Sequence, residues 1–198
     1  MTQLTAPAVL NRESQGDQQA GRLRLRDGRV VDVRPLERRD RAGLADAFAR
    51  LSPDSRYLRF STPKPHLTER ELDFLVDVDH HAHEALLAID PITRRGVAVV
   101  RYVRVPGEDG VVEIAATVAD DWQGCGLGGA LLARLADRAR EEGHSAMRAI
   151  TMAVNSRSIA MLLRAGFSAR PGGGGLLDYE LPLAATPAPA DWSRDRAG

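Results

Sequence analysis

The segment Val118-Ala119-Asp120-Asp121-Trp122-Gln123-Gly124-Cys125-Gly126-Leu127-Gly128-Gly129 constrains this chain more than any other. An apolar, β-branched run from Val111 to Ala119 precedes it. Leu127, Leu131, Leu132 and Leu135 follow at helical spacing, in a stretch from Gly126 to Glu142 that Gly143 closes. The pattern predicts a strand that passes through a glycine-rich turn into a long helix. Glycines lack Cβ atoms and let backbone N–H groups come close to a ligand. The positive end of the helix points at the same place. Such a turn suits an anion, a pyrophosphate in particular.

On either side, strand and helix signals alternate. Leu23, Leu25, Asp27-Gly28, Val31 and Val33 read as a hairpin ending at Arg34-Pro35. A helix over Leu44, Ala47, Phe48 and Leu51 follows, stopped by Ser52-Pro53. Arg56 to Phe60 leads into a proline-broken stretch, and Thr68, ahead of Glu69 and Glu71, starts the next helix. Strands are expected at Ala85–Ile89, Val97–Val105, Met147–Val154 and Leu176–Leu183, with a helix from Ser156 to Ala165. The order β, α, α, β, β, β, α, β, α, β predicts an α/β or α+β domain with a mixed, mostly antiparallel sheet, not a regular βαβ repeat. Residues 1–20 are polar without period, and residues 184–198 alternate Ala and Pro before turning charged. Both are expected to be tails, leaving one domain over residues 21–183.

Composition narrows the function classes. The chain has 198 residues, with 27 basic and 27 acidic side chains, so no global charge draws it to nucleic acid or an anionic membrane. No apolar run approaches the roughly 18 residues of a membrane span. The N-terminus lacks the basic start and apolar core of a signal peptide, and a cytoplasmic location is expected. The single cysteine, Cys125, makes neither an internal disulfide nor a cysteine-based zinc site.

Several readings of the glycine turn compete. It can be a tightly packed structural turn. The string from Gly124 to Gly129 also matches Gly-x-Gly-x-x-Gly of dinucleotide-binding domains. That motif should close the first βα turn of a domain, with an acidic residue at the end of the next strand. Here several strands come first, and the next strand leads to Asn155. A Walker loop fails because no Gly-Lys-[Ser/Thr] is present.

Gln123-Gly124-Cys125-Gly126-Leu127-Gly128 resembles the (Gln/Arg)-x-x-Gly-x-(Gly/Ala) signature of the GNAT acetyltransferase superfamily. Asn155-Ser156-Arg157-Ser158, continuing to Gly166-Phe167, resembles that family's Asn-x-x-(Ala/Ser)…Gly-Phe segment. Arg34-Pro35, the run Leu51 to Phe60, and Asp77-Val78-Asp79 with His83 look like the acetyltransferase domain of bacterial protein lysine acetyltransferases. The resemblance implies the GNAT fold, with a sheet splayed at the acetyl-CoA site. It implies that Gln123, Gly124, Cys125, Gly126, Leu127 and Gly128 bind the pyrophosphate of acetyl-CoA. Asn155 would hydrogen-bond the coenzyme, or cap a helix, or both. The backbone of Ala115, Ala116 and Thr117 would pair with the pantetheine arm and polarise the thioester.

Acetyl transfer needs a neutral amine. A lysine-like amine of pKa near 10.4 is neutral at pH 7 about one time in 2,500, a cost of about 4.6 kcal/mol. A carboxylate tuned by burial can take that proton. Glu113, inside the apolar strand, is either a solvent-facing sheet residue or such a base, and the resemblance assigns it the base. No catalytic metal is implied. Many members carry a tyrosine seven residues after the asparagine to protonate the thiolate, whereas this chain has Leu162. Cys125 stands where relatives often carry arginine. His80, His81 and His83 suggest a metal site or, better, a mobile loop on the acceptor side, with His83 the residue to test. The expected partners are acetyl-CoA and an amine, on a protein lysine or a small molecule. A non-catalytic acyl-CoA sensor is the alternative. Oligomeric state stays open, with a homodimer among the options.

Overall fold

The computed structural model describes residues 21–171 and 173–183. The two tails expected from the sequence lie outside them.

A hairpin opens the domain: β1 (Gly21–Arg24) and β2 (Val30–Pro35) pair antiparallel around the Asp27-Gly28 turn. Three short helices follow: α1 (Arg41–Ala49), α2 (Pro53–Phe60) and α3 (Glu69–Val76). Then come β3 (His83–Ile89), β4 (Gly96–Arg104), β5 (Val111–Val118), α4 (Leu127–Glu141), β6 (Ala146–Met152), α5 (Ser156–Arg164), β7 (Ser168–Pro171) and β8 (Leu176–Pro182). The strands form one sheet in the order β1-β2-β3-β4-β5-β6-β8-β7. Every pairing is antiparallel except β5–β6.

Two elements depart from the sequence expectation. Residues 53–60 form a helix, where the sequence pattern announced no element and only the stretch after Phe60 was expected to be broken by prolines. Pro53 stands at the start of α2, where a missing N–H costs nothing, and the Ser52 hydroxyl accepts from Ser55 N at 3.1 Å. The proline that ends α1 therefore begins α2. The second departure is β7, a four-residue edge strand ending in Pro171, a place where proline is tolerated. The capping role expected of Thr68 is present: its hydroxyl accepts from Glu71 N and the Glu71 carboxylate accepts from Thr68 N.

The sheet carries apolar layers on both faces. On one, Leu127, Leu131, Leu132 and Leu135 of α4 and Leu162 of α5 pack on Leu86, Val100, Val112 and Met147. On the other, Leu36 and Val76 pack on Ala85 and Leu87 beneath the short helices. This explains why β3 is buried almost throughout: it has a covered face on each side. No helix among the described residues is long and apolar enough to cross a membrane.

Candidate functional site

The two parallel strands at the centre of the sheet separate. β5 and β6 pair only from Val111↔Ala146 to Glu113↔Arg148. Beyond that point β5 stays on β4 as far as Ala98↔Val118, while β6 stays on β8 as far as Met152↔Leu176. Ala115, Ala116 and Thr117 therefore have a strand neighbour on one edge only, and Glu113 is the last paired residue at the fork. Side-chain alternation sets the chemistry of this stretch. Val112 and Ile114 are buried in the core under α4, and Glu113 is exposed on the opposite face. That setting is the solvent-facing one of the two that the sequence left open. The apolar enclosure expected for a tuned base is not what surrounds it.

At the wide end of the fork lies the glycine turn. Gly124 and Gly126 adopt φ of +79° and +91°, a region that favours glycine. Gly126 is the N-cap of α4 and its carbonyl accepts from Ala130 N at 3.1 Å. A Cβ on Gly128 would meet Met161 Sδ at 2.9 Å, so this glycine serves the close packing of α4 on α5. The side chains of Leu127 and Cys125 turn inward, and the Cys125 thiol donates to Trp122 O at 2.8 Å. Both residues can therefore offer a ligand only backbone groups.

Two arginines that sequence reasoning missed reach this turn from the β1–β2 hairpin. Arg29 donates to Asp121 O at 2.8 Å and stacks over Trp122 at 4.5 Å. Arg26 lies over the cradle: a Cβ on Gly126 would be 3.8 Å from its Cδ and 3.9 Å from its Nε. A cation thus stands beside the turn although position 125 is not arginine. Nothing in the local sequence could have indicated this, because the hairpin and the turn are far apart in the chain.

Gln123 works as a strut. Its amide nitrogen donates to Ser55 Oγ and Val118 O, both at 3.1 Å, and its amide oxygen accepts from Arg157. Asp120 ties the same turn to α2, accepting from Ser52 N at 2.8 Å and from the Ser52 and Ser55 hydroxyls. Burial works against the Asp120 charge, but those hydrogen bonds hold its carboxyl below the usual range. Asn155 is buried and caps α5, its side-chain oxygen accepting from Ser158 N at 3.1 Å. Leu162 is in the core, with no hydroxyl to offer.

The opposite face of β3–β5 holds a cavity of about 160 Å³ roofed by α1–α3. Ala115 and Thr117 line it, with Phe48, Leu75, Arg59 and Arg101 among its other walls. Arg101 is the cross-strand neighbour of Ala115 and only 5% exposed. It donates to Leu75 O and to His83 Nε2, each at 3.0 Å. Burial, and then the charge of Arg59, push its pKa down to about 9. Burial also pushes Arg59 down, against the opposing pull of Glu113. By contrast Arg34, on the same wall, is held by Asp40 through bonds of 2.7 and 2.6 Å.

The histidines do not converge. His80 Nδ1 meets Glu84 at 2.8 Å and His81 meets Glu142. His83 is buried, stacked on Phe74 at 5.1 Å, with Nδ1 3.1 Å from Asp77 O. The expected mobile loop is a pinned turn: Asp79 Oδ1 accepts from His81 N at 2.9 Å and His83 N at 2.8 Å. No group of metal-ligating side chains is found among the described residues.

Known proteins place this architecture. Residues 48–167 match the acetyltransferase (GNAT) family model. An acetyltransferase of Pseudomonas aeruginosa is 35% identical over 145 residues, covering 72% of this chain and 77% of the relative. Acetyltransferase Pat of Mycolicibacterium smegmatis is 30% identical over 114 residues, and the match spans 34% of that longer protein. The crystal structure of the GNAT domain of S. lividans PAT superposes with a TM-score of 0.78 at 27% identity, covering 84% of this chain and 98% of that one. A Salmonella typhimurium structure described as a putative acetyltransferase with its cofactor acetyl-CoA shares the fold, with a TM-score of 0.65 at 21% identity and coverage of 81% and 98%. The forked sheet, the glycine turn at its mouth and these matches agree: the chain belongs to the GNAT family of acetyl-CoA-dependent acetyltransferases.

Proposed function

We propose that the chain acetylates a primary amine, with Glu113 as general base and the open edge of β5 as the seat of the thioester. One observation carries this reading: β5 and β6 part at Glu113↔Arg148, so the candidate base sits where Ala115 to Thr117 lose their second strand neighbour.

The residues fit the coenzyme. Gly124 and Gly126 allow the backbone turn that a pyrophosphate needs, and α4 begins there with its positive end. Arg26 adds the cation that Cys125 does not. Asn155 spends its amide oxygen on the cap of α5, so its amide nitrogen is the group for the coenzyme. When bound, acetyl-CoA supplies an activated acyl carbon and a thiolate leaving group.

The chain's own groups do the rest. Backbone amides from Ala115 to Thr117 extend the sheet toward the pantetheine arm and stabilise negative charge developing on the acyl oxygen. Glu113 accepts the proton that the amine loses as it attacks, directly or through a water molecule. Leu162 has no proton to give, so the departing thiolate takes its proton from solvent.

Calorimetric titration with acetyl-CoA, together with turnover by Glu113→Gln, tests the reading. A catalyst keeps its coenzyme affinity in the variant and loses about a hundred- to ten-thousandfold in kcat. A sensor would bind acetyl-CoA and show no amine-dependent thiol release in either form. A chain that does not bind acetyl-CoA overturns the reading at its first step.

A further inference from the structure

Four arginines line one small cavity: Arg34 is paired with Asp40 and Arg94 is exposed, while Arg59 and Arg101 are covered and have no carboxylate bonded to either. Arg101 is almost fully buried, and the two acceptors it reaches, Leu75 O and His83 Nε2, are neutral. Arg59 faces the ring of Phe60 at 4.8 Å and feels the charge of Glu113 without a bond to it. Two other guanidiniums with little exposure have acids, Asp40 for Arg34 and Glu84 and Glu142 for Arg138, and partly buried Arg56 is bonded by three backbone carbonyls. A covered cation without a bonded anion is costly, and two neighbours of the same sign cost more. A site built this way is completed by an anion from outside.

The position of the pair says which molecule brings that anion. Arg101 stands directly across from Ala115, on the face that also carries Glu113 and Thr117. Directly opposed side chains in an antiparallel pair start about 5 Å apart. The anion would therefore lie within a few bonds of the acyl-transfer point at the fork. A lysine on a folded protein brings only a cation to that place, and two guanidiniums repel it.

Resting on the acetyl-transfer reading above, we propose that the acceptor is a small molecule carrying both the reacting amine and an anionic group, a carboxylate or a phosphate, with Arg59 and Arg101 binding the anion. Arg59 and Arg101 are then specificity residues. Glu113 takes the proton at the amine end while the arginines hold the other end.

The experiment uses the full chain with acetyl-CoA and follows thiol release. Its acceptors are free amino acids, β-alanine and γ-aminobutyrate, each beside its methyl ester, then phosphoethanolamine beside ethanolamine, and a peptide with blocked ends and one internal lysine. The expected result is a kcat/KM at least tenfold higher for one or more anionic amines than for the matching neutral analogue. The acid–ester pairs report a carboxylate anchor and the phosphoethanolamine pair a phosphate anchor. Arg59→Gln should raise KM for the anionic acceptor at least tenfold and erase the preference, while Arg59→Lys restores part of it. Arg59 lies on half-exposed α2, so its variants test the idea even where Arg101→Gln does not fold. Coenzyme titration precedes the acceptor panel. Failure to bind acetyl-CoA there overturns the acetyl-transfer reading itself. Binding followed by faster turnover of the esters or of the lysine peptide overturns the anionic-acceptor proposal alone. So does binding with no anionic amine accepted, or a preference that Arg59→Gln leaves intact.

Discussion

The two sides of the β5–β6 fork are built by different means. The glycine turn presents mostly backbone: its positive-φ glycines shape the chain while Cys125 and Leu127 turn their side chains into the core. The cavity on the other face presents side chains, with four arginines, an aromatic wall and the β5 alanine and threonine drawn from separate elements. A backbone site recognises a group common to many reactions, because every chain has N–H groups to offer. A side-chain site can differ between relatives without disturbing the sheet. On the proposed reading, the common part of the chemistry belongs to the turn, and selectivity belongs to the cavity.

The sharpest way to break this contrast is Gly126→Asp. The variant places a carboxylate at the mouth of the turn, in a conformation that costs an L-residue about 1–2 kcal/mol. Acetyl-CoA affinity should fall by more than a hundredfold in calorimetry, while thermal unfolding shows a folded chain with Tm lowered by a few degrees. Retained affinity would show that the turn is packing alone.

A smaller effect is expected of Arg26→Ala. Removing one charge-assisted contact of about 1.5 kcal/mol should weaken acetyl-CoA binding roughly tenfold. The loss should shrink as salt is raised. An unchanged Kd would return the cradle to backbone groups only and make the contrast complete.

The smallest effect concerns the cavity side. Burial, and then the charge of Arg101, hold the His83 pKa below its ordinary 6.5. A group whose folded pKa is depressed binds more protons in the unfolded chain. Its contribution to stability is therefore present above about pH 6.5 and is lost as pH falls from there through the folded value. His80 works oppositely: its hydrogen bond to Glu84 raises its pKa, so its contribution is present at acid pH and lost as pH rises through that raised value. His83→Gln isolates the first term. The Tm difference between the native chain and this variant should narrow as pH drops from 7 toward 5. A difference constant with pH would show that His83 braces Arg101 by packing and not by staying neutral.

Much of the fold follows from local rules. The Asp27-Gly28 hairpin, the capping box at Thr68 and the leucine stripe of α4 depend on residues a few positions apart. α2 escaped the same reasoning because Pro53 serves both as the end of one helix and as the start of the next. β7 escaped it because four residues at a sheet edge carry almost no periodic signal. Within the site, Gly124, Gly126 and the capping oxygen of Asn155 were readable, since a positive φ and an N-cap are properties of a residue and its near neighbours.

The sequence by itself determined the elements other than α2 and β7, the sheet-turn-helix passage at residues 111–142 and the family resemblance, because each rests on short-range backbone geometry. Only the tertiary structure decided that Gln123 braces the turn through its side chain, and that Arg26 covers Gly126. The fold alone also placed Arg59 and Arg101 together beside Ala115 and Thr117. Those groups come from segments distant in the chain. Charge and hydrogen bonding act through space, over a few ångströms that no spacing along the sequence records.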